Sequence, residues 1–313
     1  MKIALQSISK EVALSTVVAT LMVGAGTRAA QAKEWQANVG AQNRDLGNQA
    51  LAFLPNELWV HVGDSIRWTF PTNEIHTVTF LKPNQIRPPL YGAVFGVFVG
   101  CPGATPDGSS FDNFACVTAG PSSSSQTYTV HFPAPGNFKL ICLVHQDMTG
   151  VVHVLNVSQA LPNDQNAVDR QAANERAVLQ ADAARLAGRG DSGDADEVRG
   201  GKVTAGIGEI VTTTGAGSQT VSVVRFLQGM IVVRVGDTVE WTNLDPSIPH
   251  TVTFGIEPAD SRSASTNVST DSDGAGHAII GSPADSVNSG RLLAAPQDRP
   301  GLTQSAPARR DSG

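Results

Sequence analysis

Four residues in the first half of the chain could share one ion. Cys142, His145 and Met148 stand in a Cys-x2-His-x2-Met array, and His76 lies 66 residues upstream of the cysteine. One thiolate, two imidazoles and a weak thioether are the ligand set of a trigonal His2Cys copper site with a long axial methionine. Cu(I) prefers thiolate and thioether, Cu(II) accepts imidazole, and a geometry between the two lets the metal change oxidation state with little rearrangement. One-electron transfer is the use such a site implies. It offers no open coordination position, so substrate binding and metal-assisted hydrolysis are disfavoured and no catalytic residue is expected.

Each of these residue types is ordinary alone: a buried strand cysteine, a surface histidine, a core methionine. Their joint spacing is what points to a metal. The chain has three cysteines, which allow three pairings. Cys101 and Cys116 bracket the loop CPGATPDGSSFDNFAC, whose closure would stabilise it by about 3 kcal/mol in the chain-entropy model. That disulfide leaves Cys142 unpaired for a metal, whereas a bond from Cys142 to either partner would abolish the site. His61, His131 and His153 fall within strands, where a solvent-facing or hydrogen-bonded histidine is expected rather than a second metal site. His277 lies in a stretch without a recognisable scaffold.

The elements that must position the four residues are strands. Tyr128 to Val157 reads as a strand, a Pro-Gly turn, a strand ending at Cys142, a short loop and a final strand. Three ligands would converge from one tight turn, and His76 would close the site from a neighbouring strand. The surroundings of His76 recur further on. ELWVHVGDSIRWTFPTNEIHTVTF begins at Glu57 and MIVVRVGDTVEWTNLDPSIPHTVTF at Met230. The two segments share VGD, a Trp four residues after the Asp, and HTVTF. Such a repeat implies two related all-β domains. Between them, Asn163 to Leu186 is rich in Ala, Gln, Arg and Glu at helical spacing and predicts a helical connector, read as a spacer because an alanine stripe buries little area. Asp191 to Gly201 reads as flexible.

The second copy cannot build the same site. His250 matches His76, but no Cys follows Cys142 and no Met follows Met230; at the first copy's spacing the thiolate would fall at position 316, past the last residue. The tail after Phe254 has no aromatic residue in 59 positions and predicts disorder. A truncated or frame-shifted second half is the corresponding expectation. The predicted organisation is a signal peptide (1–32), a complete β domain (33–160), a helical and flexible linker (161–201), a partial second repeat (202–255) and a disordered tail (256–313).

The ligand loop together with VGD, Trp68 and HTVTF resembles the cupredoxins, or small blue copper proteins, of plastocyanin- and amicyanin-like type. The resemblance covers Trp35 to Val157 fully and Val203 to Gly255 in part. It implies a Greek-key β-sandwich, His76, Cys142, His145 and Met148 as ligands of one type 1 copper, and redox partner proteins of unstated identity. It also implies that His145 presents its ring edge to a docking surface, which Leu143, Val144 and Pro133 could line. One departure is visible: many members place Asn after the first histidine, where this chain has Thr77. Holding copper for sequestration or delivery is the alternative use. A multicopper oxidase or nitrite reductase would need further histidine clusters, such as His-x-His pairs, and the sequence has none.

Lys2 and Lys10 precede the apolar run Val12 to Gly26, and Ala30-Gln31-Ala32 offers a small-x-small cleavage pattern. A secretory signal peptide is predicted, with a periplasmic or extracellular mature protein in which a disulfide can persist. No other apolar run approaches the roughly twenty residues of a membrane span. The net charge is −6, with Arg and Lys scattered, which gives no electrostatic footprint for nucleic acid.

Overall fold

The computed structural model describes residues 32–85, 87, 101, 103–145, 147–191, 201–213, 217–272, 274–294 and 309–312. The predicted signal peptide lies outside the described residues, apart from Ala32. The described residues are mostly β with one helix. Its first half contains β1 (Glu34–Gln42), β2 (Asn48–Leu54), β3 (Glu57–His61), β4 (Ser65–Thr69), β5 (Thr79–Phe80), β6 (Ser109–Ser110), β7 (Val117–Thr118), β8 (Thr127–His131), β9 (Gly136–Ile141) and β10 (Thr149–Leu155). The helix α1 (Gln165–Asp191) follows. Then come β11 (Gly201–Thr213), β12 (Gly217–Leu227), β13 (Val239–Leu244), β14 (Thr253–Phe254), β15 (Ser269–Thr270), β16 (Gly276–His277), β17 (Val287–Asn288) and β18 (Arg309–Ser312).

Two sheets face each other in the first half. One is ordered β3-β10-β9-β5-β7, and the other contains β2-β1-β4-β8-β6. Alternation along β1 and β10 sends one face inward. Trp35, Phe53 and Trp68 from one sheet thereby meet Val60, Phe138 and Val152 from the other in one core. The VGD turn between β3 and β4 is fixed by Asp64, whose carboxylate accepts from the Trp35 indole N–H at 2.9 Å, the His61 N–H at 3.0 Å and the Lys33 N–H at 2.8 Å. In the first half the VGD motif is therefore a structural clasp.

The two halves are not separate sheets. β12 pairs antiparallel with β2, joining the halves into one sheet of nine strands ordered β18-β13-β11-β12-β2-β1-β4-β8-β6. The helix is also more than a spacer. Asp164 caps it, accepting from the Ala167 N–H at 2.8 Å, and Ala172, Leu179, Ala183 and Leu186 pack on Ala41, Ala50, Ala52, Val221 and Val223. The alanine and leucine stripe is buried against a sheet face of alanine, valine and leucine, so the helix does bury area. Arg185 adds a 2.9 Å ion pair to Glu209 across this join.

The second repeat runs further than its sequence identity. β11 pairs with β12 antiparallel and β13 parallel, as β1 pairs with β2 and β4. β14 pairs with β17 as β5 does with β7, and β13 with β18 as β4 does with β8. The composition of 256–313 predicts disorder, yet residues 255–272 and 274–294 carry three short strands. Side chains hold them where apolar burial is scarce: the Asn288 amide donates to the carbonyls of Ser261 at 3.1 Å and Ser263 at 2.7 Å, and Asp285 accepts from the N–H groups of Gly281 and Ser282. Among the described residues no strand corresponds to β9 or β10 in this half. Residues 230–235, which match β3 in sequence, consequently form no strand, and Met230, Val232 and Val235 are exposed.

Candidate metal centre

The site forms where β9 ends. Cys142 follows the last residue of β9 and Met148 precedes the first of β10. The turn between them is closed by the Cys142 N–H donating to the Met148 carbonyl at 3.0 Å and the Met148 N–H to the His145 carbonyl at 3.3 Å. His76 is fixed from the other side by a two-way backbone bridge with Ser122, at 2.9 and 2.8 Å. The cysteine Sγ and a ring nitrogen from each histidine all lie within 4.8 Å of one another. Sγ stands 3.7 Å from His145 Nδ1, and the two Nδ1 atoms are 3.2 Å apart. An ion with bonds of about 2.0 Å to nitrogen and about 2.3 Å to sulfur at trigonal angles separates sulfur from nitrogen by about 3.7 Å and the two nitrogens by about 3.5 Å. The donor set and its spacing therefore fit a metal, and Met148 is fully buried beside it.

Backbone and side chains around the sulfur hold it in place. The N–H groups of Thr77 and His145 both donate to Sγ at 3.4 Å. The Thr77 hydroxyl accepts from the Leu143 N–H at 2.7 Å and from Thr79 Oγ1 at 3.0 Å, and Thr79 meets Thr118 Oγ1 at 2.8 Å. Thr77 thus ties the His76 segment to the ligand turn. Arg87, which no sequence signal singled out, donates from Nη2 to the carbonyls of Cys142 and His145. Glu74 is the other residue missed, with Oε1 3.3 Å from His145 Nε2.

Burial and charge act in opposition here. Burial pushes the Cys142 thiol up, but hydrogen bonds from His145 and His76 and their positive charges outweigh it and hold the thiol well below its ordinary value. Burial likewise disfavours a charged His145, yet Cys142 and Glu74 raise it to about 9. His76 is lowered, chiefly by burial and against the pull of Cys142. The cluster is poised to keep a thiolate, which is the form that binds metal.

Two expectations about the surface are corrected. His145 is 2% exposed and covered by Glu74, so its ring edge does not form an open face. Pro133 cannot line a patch beside it, because the β8–β9 turn and Cys142 lie at opposite ends of β9, whose six residues span about 20 Å. Leu143 is buried and Val144 half-buried.

The remaining candidates fall outside the cluster. Cys101 and Cys116 are disulfide-bonded, and Cys142 is free and buried. His61 Nε2 bonds to the Gln159 carbonyl at 2.8 Å; His153 is held between Asn137 and Glu57 and stacks on Trp59; His277 meets Asp271 at 2.7 Å. His250 faces Asp245 at 3.7 Å, with no cysteine in its half. Among the described residues no other group of three or more His, Cys, Asp or Glu side chains is arranged to hold an ion.

One glycine is required by the site. Gly40 has φ +77°, and a Cβ there would lie 2.6 Å from His76 Nε2 and 3.1 Å from Thr72. Gly40→Ala is expected to destabilise the fold by about 1–2 kcal/mol from the left-handed backbone alone, and to displace His76. Thermal denaturation should show the first effect and the EPR spectrum of the Cu(II)-loaded protein the second; an unchanged spectrum would show that His76 does not touch the metal.

No family model matches the chain, and no curated protein matches it. Among solved structures it is similar to amicyanin. A reduced Cu(I) form of an amicyanin variant is 19% identical, with a TM-score of 0.26, covering 39% of this chain and 82% of that one. An oxidised variant is 20% identical at a TM-score of 0.26, with the same coverage.

Proposed function

We propose that this is an exported, cupredoxin-like protein whose first half binds one type 1 copper through His76, Cys142, His145 and Met148 and carries single electrons between partner proteins. The observation that carries this reading is the buried sulfur of Cys142, flanked by two imidazole Nδ1 atoms and by two N–H donors. Copper in such a ligand set would supply a one-electron couple with little change in geometry. The chain's own part is to keep the donors from moving. Thr77 and the Ser122 bridge fix the His76 side, the Cys142 and Met148 backbone bonds fix the turn, and both N–H groups on Sγ withdraw charge from the sulfur. The disulfide Cys101–Cys116 accords with a periplasmic or extracellular location, and no helix of the described residues is long and apolar enough to cross a membrane.

The burial of His145 favours a second reading, in which copper is held for sequestration or delivery and no redox partner docks. Both readings are tested on the full chain loaded with one equivalent of Cu(II). An intense blue band, a narrow EPR hyperfine splitting and rapid self-exchange between oxidised and reduced protein are expected for an electron carrier. Slow self-exchange with ready copper transfer to an acceptor would support delivery instead, and an ordinary colourless Cu(II) signal would overturn the type 1 site.

A further inference from the structure

Glu74 stands on the segment between β4 and β5, two residues before His76, but its carboxylate reaches across to the histidine of the other ligand segment. His145 has its Nδ1 turned to the thiolate and to His76 Nδ1, and its Nε2 turned to Glu74 Oε1 at 3.3 Å. Its side chain is 3% exposed and that of Glu74 30%, so the carboxylate lies between the ring and solvent. On the same turn, Arg87 donates to the carbonyls of both Cys142 and His145. One ionised group thus holds the ring and another holds the backbone that carries it.

We propose that Glu74 and Arg87 form a positioning clamp on the ligand turn, in which the Glu74 carboxylate fixes the His145 tautomer with Nδ1 free for the metal and biases the site toward the oxidised ion. The inference rests on the copper reading above. A carboxylate accepting the outer N–H of a ligating imidazole fixes the ring's orientation and raises its basicity. A stronger nitrogen donor favours Cu(II), the ion that accepts imidazole, over Cu(I), which prefers the sulfur ligands. The negative charge beside the ring acts in the same sense, because it stabilises the higher-charged ion more. Arg87 contributes no charge of that sign; its Nη2 bridges the two carbonyls and so restrains the Cys142–His145 spacing.

Glu74→Gln keeps an acceptor of nearly the same shape and removes the charge, so it separates tuning from packing. In the full chain, Cu(II) affinity is expected to fall about 10–100-fold, with Cu(I) affinity changed less. Each tenfold loss of Cu(II) relative to Cu(I) raises the midpoint potential by about 59 mV. Thermal stability of the metal-free protein should stay close to wild type, and nitrogen NMR of the diamagnetic Cu(I)-loaded wild type should show the His145 proton on Nε2. Arg87→Lys should leave the potential near wild type while speeding copper loss to a chelator, because the planar guanidinium is pre-organised to bridge the two carbonyls and a flexible, strongly hydrated ammonium is not. A blue Glu74→Gln protein whose potential and Cu(II) affinity match wild type would overturn the clamp alone. Absence of a Cys142-dependent blue band in wild type would overturn the copper reading and the clamp with it.

Discussion

Cys142→Ser is expected to abolish the blue band of the copper-loaded protein outright and to replace the narrow hyperfine splitting with an ordinary Cu(II) pattern. The thiolate is the only soft anionic donor in the cluster, and a serine hydroxyl at neutral pH is neither soft nor ionised. The substitution should do little harm to the fold. An unpartnered buried hydroxyl would cost about 1–3 kcal/mol, but the N–H groups of Thr77 and His145 already point at this position and can donate to the new oxygen. Visible absorption and EPR, read beside circular dichroism of both proteins, check this. A colour that survives in the serine variant would show that the sulfur is not a ligand, and the copper assignment would fall.

The largest loss of stability from a single truncation is expected at Phe80. Its ring is fully buried and touches Trp68, Phe111 and Phe132, with centroids 5.9, 5.0 and 5.5 Å away. Phe80→Ala removes the hub of that cluster and leaves a cavity its neighbours cannot fill, for a loss of about 3–5 kcal/mol and a melting temperature lower by roughly 10 °C. The effect should reach the metal centre, because Phe80 anchors the two-residue strand β5, whose Thr79 bonds to Thr77 beside the thiolate. Thermal unfolding followed by circular dichroism measures the first effect, and copper affinity the second. A shift below about 2 °C would mean that the cluster repacks around the gap.

The His76–Cys142–His145 cluster, the strands that carry it and the repeat were legible in the sequence because each has a local signature. Cys142, His145 and Met148 are close in the chain, and VGD and HTVTF repeat almost verbatim. Glu74 and Arg87 were not, since a single Glu and a single Arg have no spacing rule and become meaningful only once the chain folds them onto His145. The β2–β12 pairing was hidden for a similar reason: register between distant strands leaves no periodicity within either one. The packing of α1 was misread because burial was judged from the helix alone, when its alanines match alanines on the sheet. The order of residues 255–294 was missed because composition counts apolar residues and cannot see asparagine and aspartate side chains serving backbone groups.

The pairing of β12 with β2 bears on what the first half would expose on its own. Strand β2 is bonded to β1 on one side and to β12 on the other. Cut away from the second half, it would become an edge strand with free N–H and C=O groups and the buried, uncharged residues Leu51, Ala52, Phe53 and Leu54 in its middle and end. It has neither lysine nor proline, the residues that discourage such edges from recruiting other chains. Strand β12 covers that edge over Asn48 to Leu51. The two halves are interdependent through the backbone as well as through side-chain contacts.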